Sequence, residues 1–166
     1  MRTTVSLAAA GFAAIALSSC VVAQSIHKTG PIEKIEPGTG LVYGHVTMPG
    51  GVGGVDMAHP RLIFAGNERA HVYSDGDFVF ENVEPGEYAL RRFFSQGQYY
   101  YFAYQHIRPF EVKPGRVTFA GSYEVHFEGG VAVISAASAP TSSQILRNVF
   151  ERTSGSGWDA AIRARP

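Results

Sequence analysis

Cysteine is nearly absent from this 166-residue chain, with Cys20 the only one. A lone thiol excludes an internal disulfide framework and any paired-cysteine metal or redox motif, so a folded core must hold by packing. An excess of charge of one sign is missing too. The 14 basic and 14 acidic residues balance, and without Arg2 the count is 13 against 14. No arginine cluster or basic stripe exists of the kind a phosphate backbone requires, which argues against a nucleic-acid partner. The N-terminal apolar stretch, Val5 to Leu17, has only 13 residues. As a helix it would reach about 20 Å, short of a hydrocarbon core of about 30 Å, so it is too short for a permanent span.

Catalytic constellations are equally scarce. His45, His59, His71, His106 and His126 are scattered singly, without the tight spacing of zinc ligands. Asp75 and Asp77 flank Gly76 but lack the further oxygen ligands and distal glutamate of a calcium loop, so they read as a hairpin turn. No Gly-x-Ser-x-Gly elbow opens a helix after a strand; Gly155-Ser156-Gly157 follows a helical stretch instead. Paired carboxylates for glycoside hydrolysis need a sugar-sized cleft that a small sandwich seldom supplies. The expectation is a protein that is not an enzyme, with no catalytic residue, no metal and no cofactor.

What is present begins with the N-terminus. Arg2 and the α-amino group precede the uncharged, alanine-rich stretch, which has the length of a secretory h-region and is closed by Leu17-Ser18-Ser19-Cys20. This run resembles the bacterial lipoprotein signal. The resemblance implies cleavage between Ser19 and Cys20, acylation of the Cys20 thiol, and membrane lipid as a partner. Two or three acyl chains anchor stably where one holds marginally. Val21 stands where an aspartate would favour inner-membrane retention, which by the same resemblance implies the outer membrane, facing the periplasm. An ordinary secretory peptide cut near Ala23 is the alternative.

Residues 1–19 are thus expected to be a signal peptide and 20–39 a lipidated cysteine with a flexible tether. As a coil, the 19 residues from 21 to 39 would reach about 24 Å. From Gly40 onward, short alternating or apolar runs are broken by glycine and proline turns. The runs are Leu41–Val46, Arg61–Ala65, Ala70–Ser74, Phe78–Phe80, Tyr88–Phe94, Tyr99–Tyr104, Phe110–Val112, Val117–Phe119, Tyr123–Phe127 and Val131–Ser135. Pro49 to Gly54 reads as a loop, and Asp75-Gly76 as a two-residue hairpin turn. The period then changes. Thr141 and Gln144 form a capping box before Ile145, Leu146, Val149 and Phe150 on one helical face, and Trp158 and Ile162 suit a last helical turn. No helix recurs between strands, which excludes an alternating α/β architecture.

The stretch Ser74-Asp75-Gly76-Asp77-Phe78-Val79-Phe80-Glu81-Asn82-Val83-Glu84-Pro85-Gly86-Glu87-Tyr88-Ala89-Leu90 resembles the carboxypeptidase-regulatory-like, or transthyretin-like, β-sandwich modules. Val112 through Gly121 and the tail from Gly155 to Arg165 are similar to segments of small bacterial lipoproteins of that fold. The resemblance implies an all-β, Greek-key antiparallel sandwich over residues 40–137, with a C-terminal helical segment over 138–166 packing on it. It carries over no catalytic residue.

One strand is unusually aromatic. Alternation puts Gln98, Tyr100, Phe102 and Tyr104 on one side and Tyr99, Tyr101 and Ala103 on the other. Tyr99 and Tyr101, with Arg91 and Arg92 on the preceding strand, form the candidate binding surface. The expectation weighed more heavily is that both faces are covered, the outer one by the C-terminal helix, whose apolar face needs burial. The favoured function is a non-enzymatic, lipid-anchored envelope module with an envelope-protein partner. The alternative is a periplasmic module binding glycan or a small ligand through residues 98–104.

Overall fold

The computed structural model describes residues 32–60, 68–102 and 108–164. Cys20, Ser19, the leader and residues 21–31 lie outside these, as do the run at 61–65, Ala103, Tyr104 and His106. The described chain is mainly β: β1 (Gly40–Thr47), β2 (Gly54–Ala58), β3 (Glu68–Val72), β4 (Asp77–Val83), β5 (Gly86–Ser95), β6 (Gln98–Tyr101), β7 (Phe110–Val112), β8 (Val117–Glu128) and β9 (Val131–Ala136). Two short helices follow, α1 (Ser142–Arg152) and α2 (Trp158–Arg163).

The strands hydrogen-bond in the order β6-β5-β2-β3-β4-β1-β8-β9, and β7 pairs with the start of β5. All pairs are antiparallel except β1 with β8, which run parallel. The parallel pair departs from the expected antiparallel arrangement because the turn before β8 enters beside the start of β1. There the Leu41 amide donates to the Arg116 carbonyl at 3.0 Å and the Gly115 amide to the Thr39 carbonyl at 2.7 Å. The sheet folds over on itself as a sandwich. Val55, Met57, Leu90, Phe93 and Phe102 pack with Val42, Val46, Tyr123, Val125 and Ile134 in one core. Phe102 meets Tyr123 edge to face at 5.0 Å between ring centres, and Tyr100 meets Phe127 at 5.8 Å, so the inward rings of β6 and the residue after it reach β8 across the interior.

Phe78 and Phe80 share the inner face, 5.9 Å apart and edge to face, and Val83 is buried at the corner. The β3–β4 hairpin forms at Asp75-Gly76, with Gly76 at φ 90. Two strand boundaries differ from expectation. Residues 54–58 form β2 rather than following a loop into the next run, because Val55 and Met57 alternate into the core. β8 is one strand of 12 residues rather than two, because Ala120 is absorbed as the extra residue where the β1–β8 register slips and the pairing continues past it from Gly121.

A second core lies on the outer face of β1, β4 and β8. Leu41, Tyr43, Val79 and Val117 pack there against Ile145 and Val149 of α1 and Trp158 and Ile162 of α2. The capping box at Thr141 and Gln144 starts α1 as expected. The expectation that the C-terminal helix covers the aromatic strand is overturned, since α1 touches β1, β4 and β8. Leu41 and Tyr43 give it a wider apolar surface than β6 offers. The chain entering the domain joins the same layer. Ile32 is buried, its amide donates to the Arg152 carbonyl at 3.0 Å, and the Ile35 amide donates to the Ser156 carbonyl at 2.8 Å. Residues from Ile32 therefore belong to the folded unit and not to the tether expected through residue 39.

Gly44 lies where β1 passes under Phe78. A Cβ there would sit 2.3 Å from Phe78 Cζ and 2.6 Å from the Gly121 carbonyl oxygen, and neither a buried ring nor a backbone can move aside cheaply. Gly44→Ala is expected to destabilise the fold by about 1–3 kcal/mol, as overpacking does, read from the urea midpoint. An unchanged midpoint would mean that the β1–β4 contact is looser than described.

Candidate functional site

The β5–β6 hairpin presents the aromatic strand. Gln96 at φ 49 and Gly97 at φ 81 make a two-residue turn with both centres left-handed, the geometry that matches strand twist. Alternation then splits the rings as the sequence predicts. Tyr100 stacks on Phe93 at 5.2 Å and Phe102 is buried, whereas Tyr99 and Tyr101 are 42% and 65% exposed.

Behind the exposed rings runs one row of side chains across four neighbouring strands. Tyr101 pairs in register with Arg92, Arg92 with Asp56, and Asp56 with Arg69. Asp56 is buried and accepts from both arginines. Arg92 Nε donates to Oδ2 at 2.7 Å, Arg69 Nε to Oδ1 at 2.7 Å, and Arg69 Nη2 to Oδ2 at 3.2 Å. Each arginine also reaches a phenol. Arg69 Nη2 donates to the Tyr99 hydroxyl at 3.1 Å and Arg92 Nη1 to the Tyr101 hydroxyl at 3.4 Å, while the Arg92 guanidinium lies 4.2 Å from the Tyr99 ring centre. The Asp56 hydrogen bond holds the Arg69 guanidinium above its usual range. Burial opposes the charge on Arg92, but the same carboxylate raises it overall.

Of the residues the sequence singled out, Tyr99, Tyr101 and Arg92 come together. Arg91 does not join them. It is the extra residue where the β2–β5 register slips, and among the described residues no ion pair or ring contact ties it to the patch. Asp56 and Arg69 escaped sequence reading. Their signal was a charge alternating with Val55 and Met57, visible only once residues 54–58 are taken as a strand.

A second polar cluster lies under α1. His45 Nδ1 meets Asp77 Oδ1 at 2.7 Å, and Asp77 Oδ2 accepts from Asn148 Nδ2 at 2.9 Å and Arg152 Nη1 at 3.3 Å. Arg152 also pairs with Asp75, and its guanidinium lies 3.9 Å from the Tyr73 ring centre. The two aspartates beside Gly76 are therefore engaged by side chains of the domain. Ser122, His45 and Asp77 share one row across β8, β1 and β4, the residue types of an acyl-transfer triad. The geometry differs from one. The Cε1–Nε2 edge of His45 packs over Gly76 on the β4 side, away from Ser122, and no hydrogen bond joins Ser122 to His45 among the described residues. His126 Nε2 lies 3.0 Å from Glu128 at the surface. Among the described residues no group of three or more histidine, cysteine, aspartate or glutamate side chains could hold a metal ion.

The chain matches no protein-family model, no curated protein and no solved structure.

Asp56→Ala would leave Arg69 and Arg92 facing each other without their carboxylate. Because both guanidinium groups are partly solvated, the expected cost is about 1–3 kcal/mol, below that of a fully buried pair. Tyr101→Ala is expected to cost less than about 1 kcal/mol. Urea titrations of both variants check this, and comparable losses would mean that Tyr101 supports the fold. Burial pushes the Tyr73 hydroxyl up from 10.0 to about 12. Its folded value exceeds its unfolded one, so the stability it carries is complete below pH 10.0 and is lost as pH rises toward about 12. Tyr73→Phe removes that part of the alkaline slope, measured as the urea midpoint against pH. An unaltered slope would assign it to Tyr88 and Tyr123, which burial also raises.

Proposed function

We propose that this chain is a lipid-anchored, non-enzymatic envelope module whose working surface is the row Tyr101, Arg92, Asp56 and Arg69 with Tyr99 beside it. The single observation that carries the reading is that two exposed tyrosines stand over arginines already fixed by a buried carboxylate. Rigid tyrosines and oriented arginines lose little freedom on association and recur in protein-binding surfaces. The sandwich supports the resemblance to the carboxypeptidase-regulatory-like, transthyretin-like modules, and the Greek-key topology is proposed on that resemblance. The lipid anchor on Cys20 and the outer-membrane, periplasm-facing address rest on the Leu17-Ser18-Ser19-Cys20 run. Among the described residues no helix is long and apolar enough to cross a membrane. The non-enzymatic reading is supported by a His45 ring engaged by Asp77 and turned from Ser122.

One observation favours a second reading, glycan binding. The open Tyr99 and Tyr101 rings offer a flat platform of the kind a sugar ring stacks on. A photo-activatable residue at position 101 of the full chain in cells separates the two. A discrete adduct with an envelope protein, lost on Arg92→Ala and absent from a probe at Glu84, is expected. Glycan fragments shifting the Tyr99 and Tyr101 ring resonances without such an adduct would move the assignment to glycan. The absence of both an adduct and a glycan-induced shift would defeat both readings.

The anchor has its own test. Intact mass of the protein extracted from membranes is expected to show a species beginning at Cys20 with acyl mass added, lost in Cys20→Ala. A bare chain cut elsewhere would remove the membrane from the proposal.

A further inference from the structure

The chain joins the folded unit on its helical side. Ile32 is buried with Ile145, Val149, Trp158 and Ile162, and the residues after it are pinned as well. The Ile32 amide donates to the Arg152 carbonyl and the Ile35 amide to the Ser156 carbonyl. The Glu33 amide donates to the Glu81 carboxylate and the Glu36 amide to Asn82 Oδ1 at 3.0 Å, while Asn82 Nδ2 donates to the Lys34 carbonyl at 2.9 Å. The Ile35 side chain packs over Gly157, where a Cβ would come within 2.6 Å of its Cγ2. The point at which the chain leaves the domain toward Cys20 is therefore a fixed place beside α1 and α2.

Residues 21 to 31, 11 in number, separate that place from Cys20. Fully extended they span at most about 40 Å, and as a coil they would reach about 18 Å. A domain of this size is about 35 Å across, so the average reach is near half its width. A tether that short keeps the side where it attaches nearer to whatever holds Cys20.

The Tyr-Arg row lies on the opposite side. Leu41 and Tyr43 of β1 face the helices, whereas Val42 and Val46 face the interior. Val55 and Phe93 meet that interior from β2 and β5, which leaves Asp56 and Arg92 on the far outer face. With packed sheets about 10 Å apart and a helix about 10 Å in diameter, the exposed tyrosines stand about 20 Å or more from the helix axes. Charge gives the helical side no pull of its own. Lys34, Arg147 and Arg163 are exposed there, and Glu33, Glu36 and Glu151 balance them. The bias comes from the attachment point.

We propose that, with Cys20 held in lipid, the surface formed by α1, α2 and Ile35 is the membrane-facing side of the domain. The row of Tyr101, Arg92, Asp56 and Arg69 is then presented away from the lipid, to a partner approaching from the aqueous space. This rests on the lipid anchor proposed above and adds the direction from which the row is reached.

The test uses the full-length protein coupled through Cys20, its single thiol, to a maleimide phospholipid in phosphatidylcholine nanodiscs carrying a gadolinium headgroup chelate. Coupling sets the anchor at Cys20 whether or not the native chain is acylated. Broadening of the Arg147, Glu151 and Arg163 amide resonances is expected to exceed that of Tyr99 and Tyr101 by about tenfold or more, since the effect falls with the sixth power of a distance that differs by about 20 Å. Inserting about 20 glycine and serine residues after Pro31 lengthens the coil to about 31 Å. The insertion is expected to shrink the excess severalfold and to leave the chemical shifts of the domain in place. Equal broadening of the two faces, stronger broadening at Tyr99 and Tyr101, or an excess untouched by the insertion would overturn the proposal. Any of these would leave the anchor standing, because the mass of the native protein decides it separately. A native chain without acyl mass, beside a coupled sample that is still oriented, would defeat the anchor and uphold the orientation.

Discussion

Strand β1 is buried on both faces and hydrogen-bonded on both edges, by β4 and by β8. Its Val42 and Val46 belong to the sandwich interior, and its Leu41 and Tyr43 to the layer under the helices. A strand with no wet face can carry a polar side chain only if that group is fully met. His45 is such a residue, and Asp77 meets its Nδ1. The same carboxylate accepts from Asn148 and Arg152 of α1. The charge that lets His45 be buried thus also fixes where α1 lies, and α1 in turn receives the incoming chain at Ile32.

Much of this was legible because it is local. Alternation through Tyr99–Phe102 sorts rings by face without knowledge of any partner, and the capping box at Thr141 states where a helix begins. β2 was illegible for the opposite reason. Its five residues carry no aromatic and one charge next to a glycine-rich loop, and only Phe93 and Ala70 beside Val55, and Leu90 beside Met57, make sense of its two large apolar residues. The apolar face of α1 likewise announces that it must be buried but not against what. Tyr99 and Tyr101 could be read from one strand. Asp56 and Arg69 could not, because they join them only through cross-strand register.

The helices seal the outer face of β1, β4 and β8, so the domain keeps a different outer face open on β2, β3, β5 and β6. A bare sheet face of arginines and tyrosines would ordinarily be mobile. Here the buried Asp56 removes that freedom, taking three hydrogen bonds from two guanidinium groups. Orientation achieved before association is a cost that binding no longer has to meet.

Charge divides this face from the cavity that Arg108 lines between β8 and the start of α1. In the row on β2, β3 and β5, two cations already share one anion, and their remaining donors reach the phenols. Such a surface suits stacking and neutral hydrogen-bond partners better than a strong anion, whose attraction Asp56 partly cancels. At the cavity the balance is reversed. Arg108 has no described carboxylate, and the helix end adds positive potential. Two arginine-bearing regions of one small domain therefore differ in their electrostatic surroundings. What separates them is whether a carboxylate was built in beside the cation.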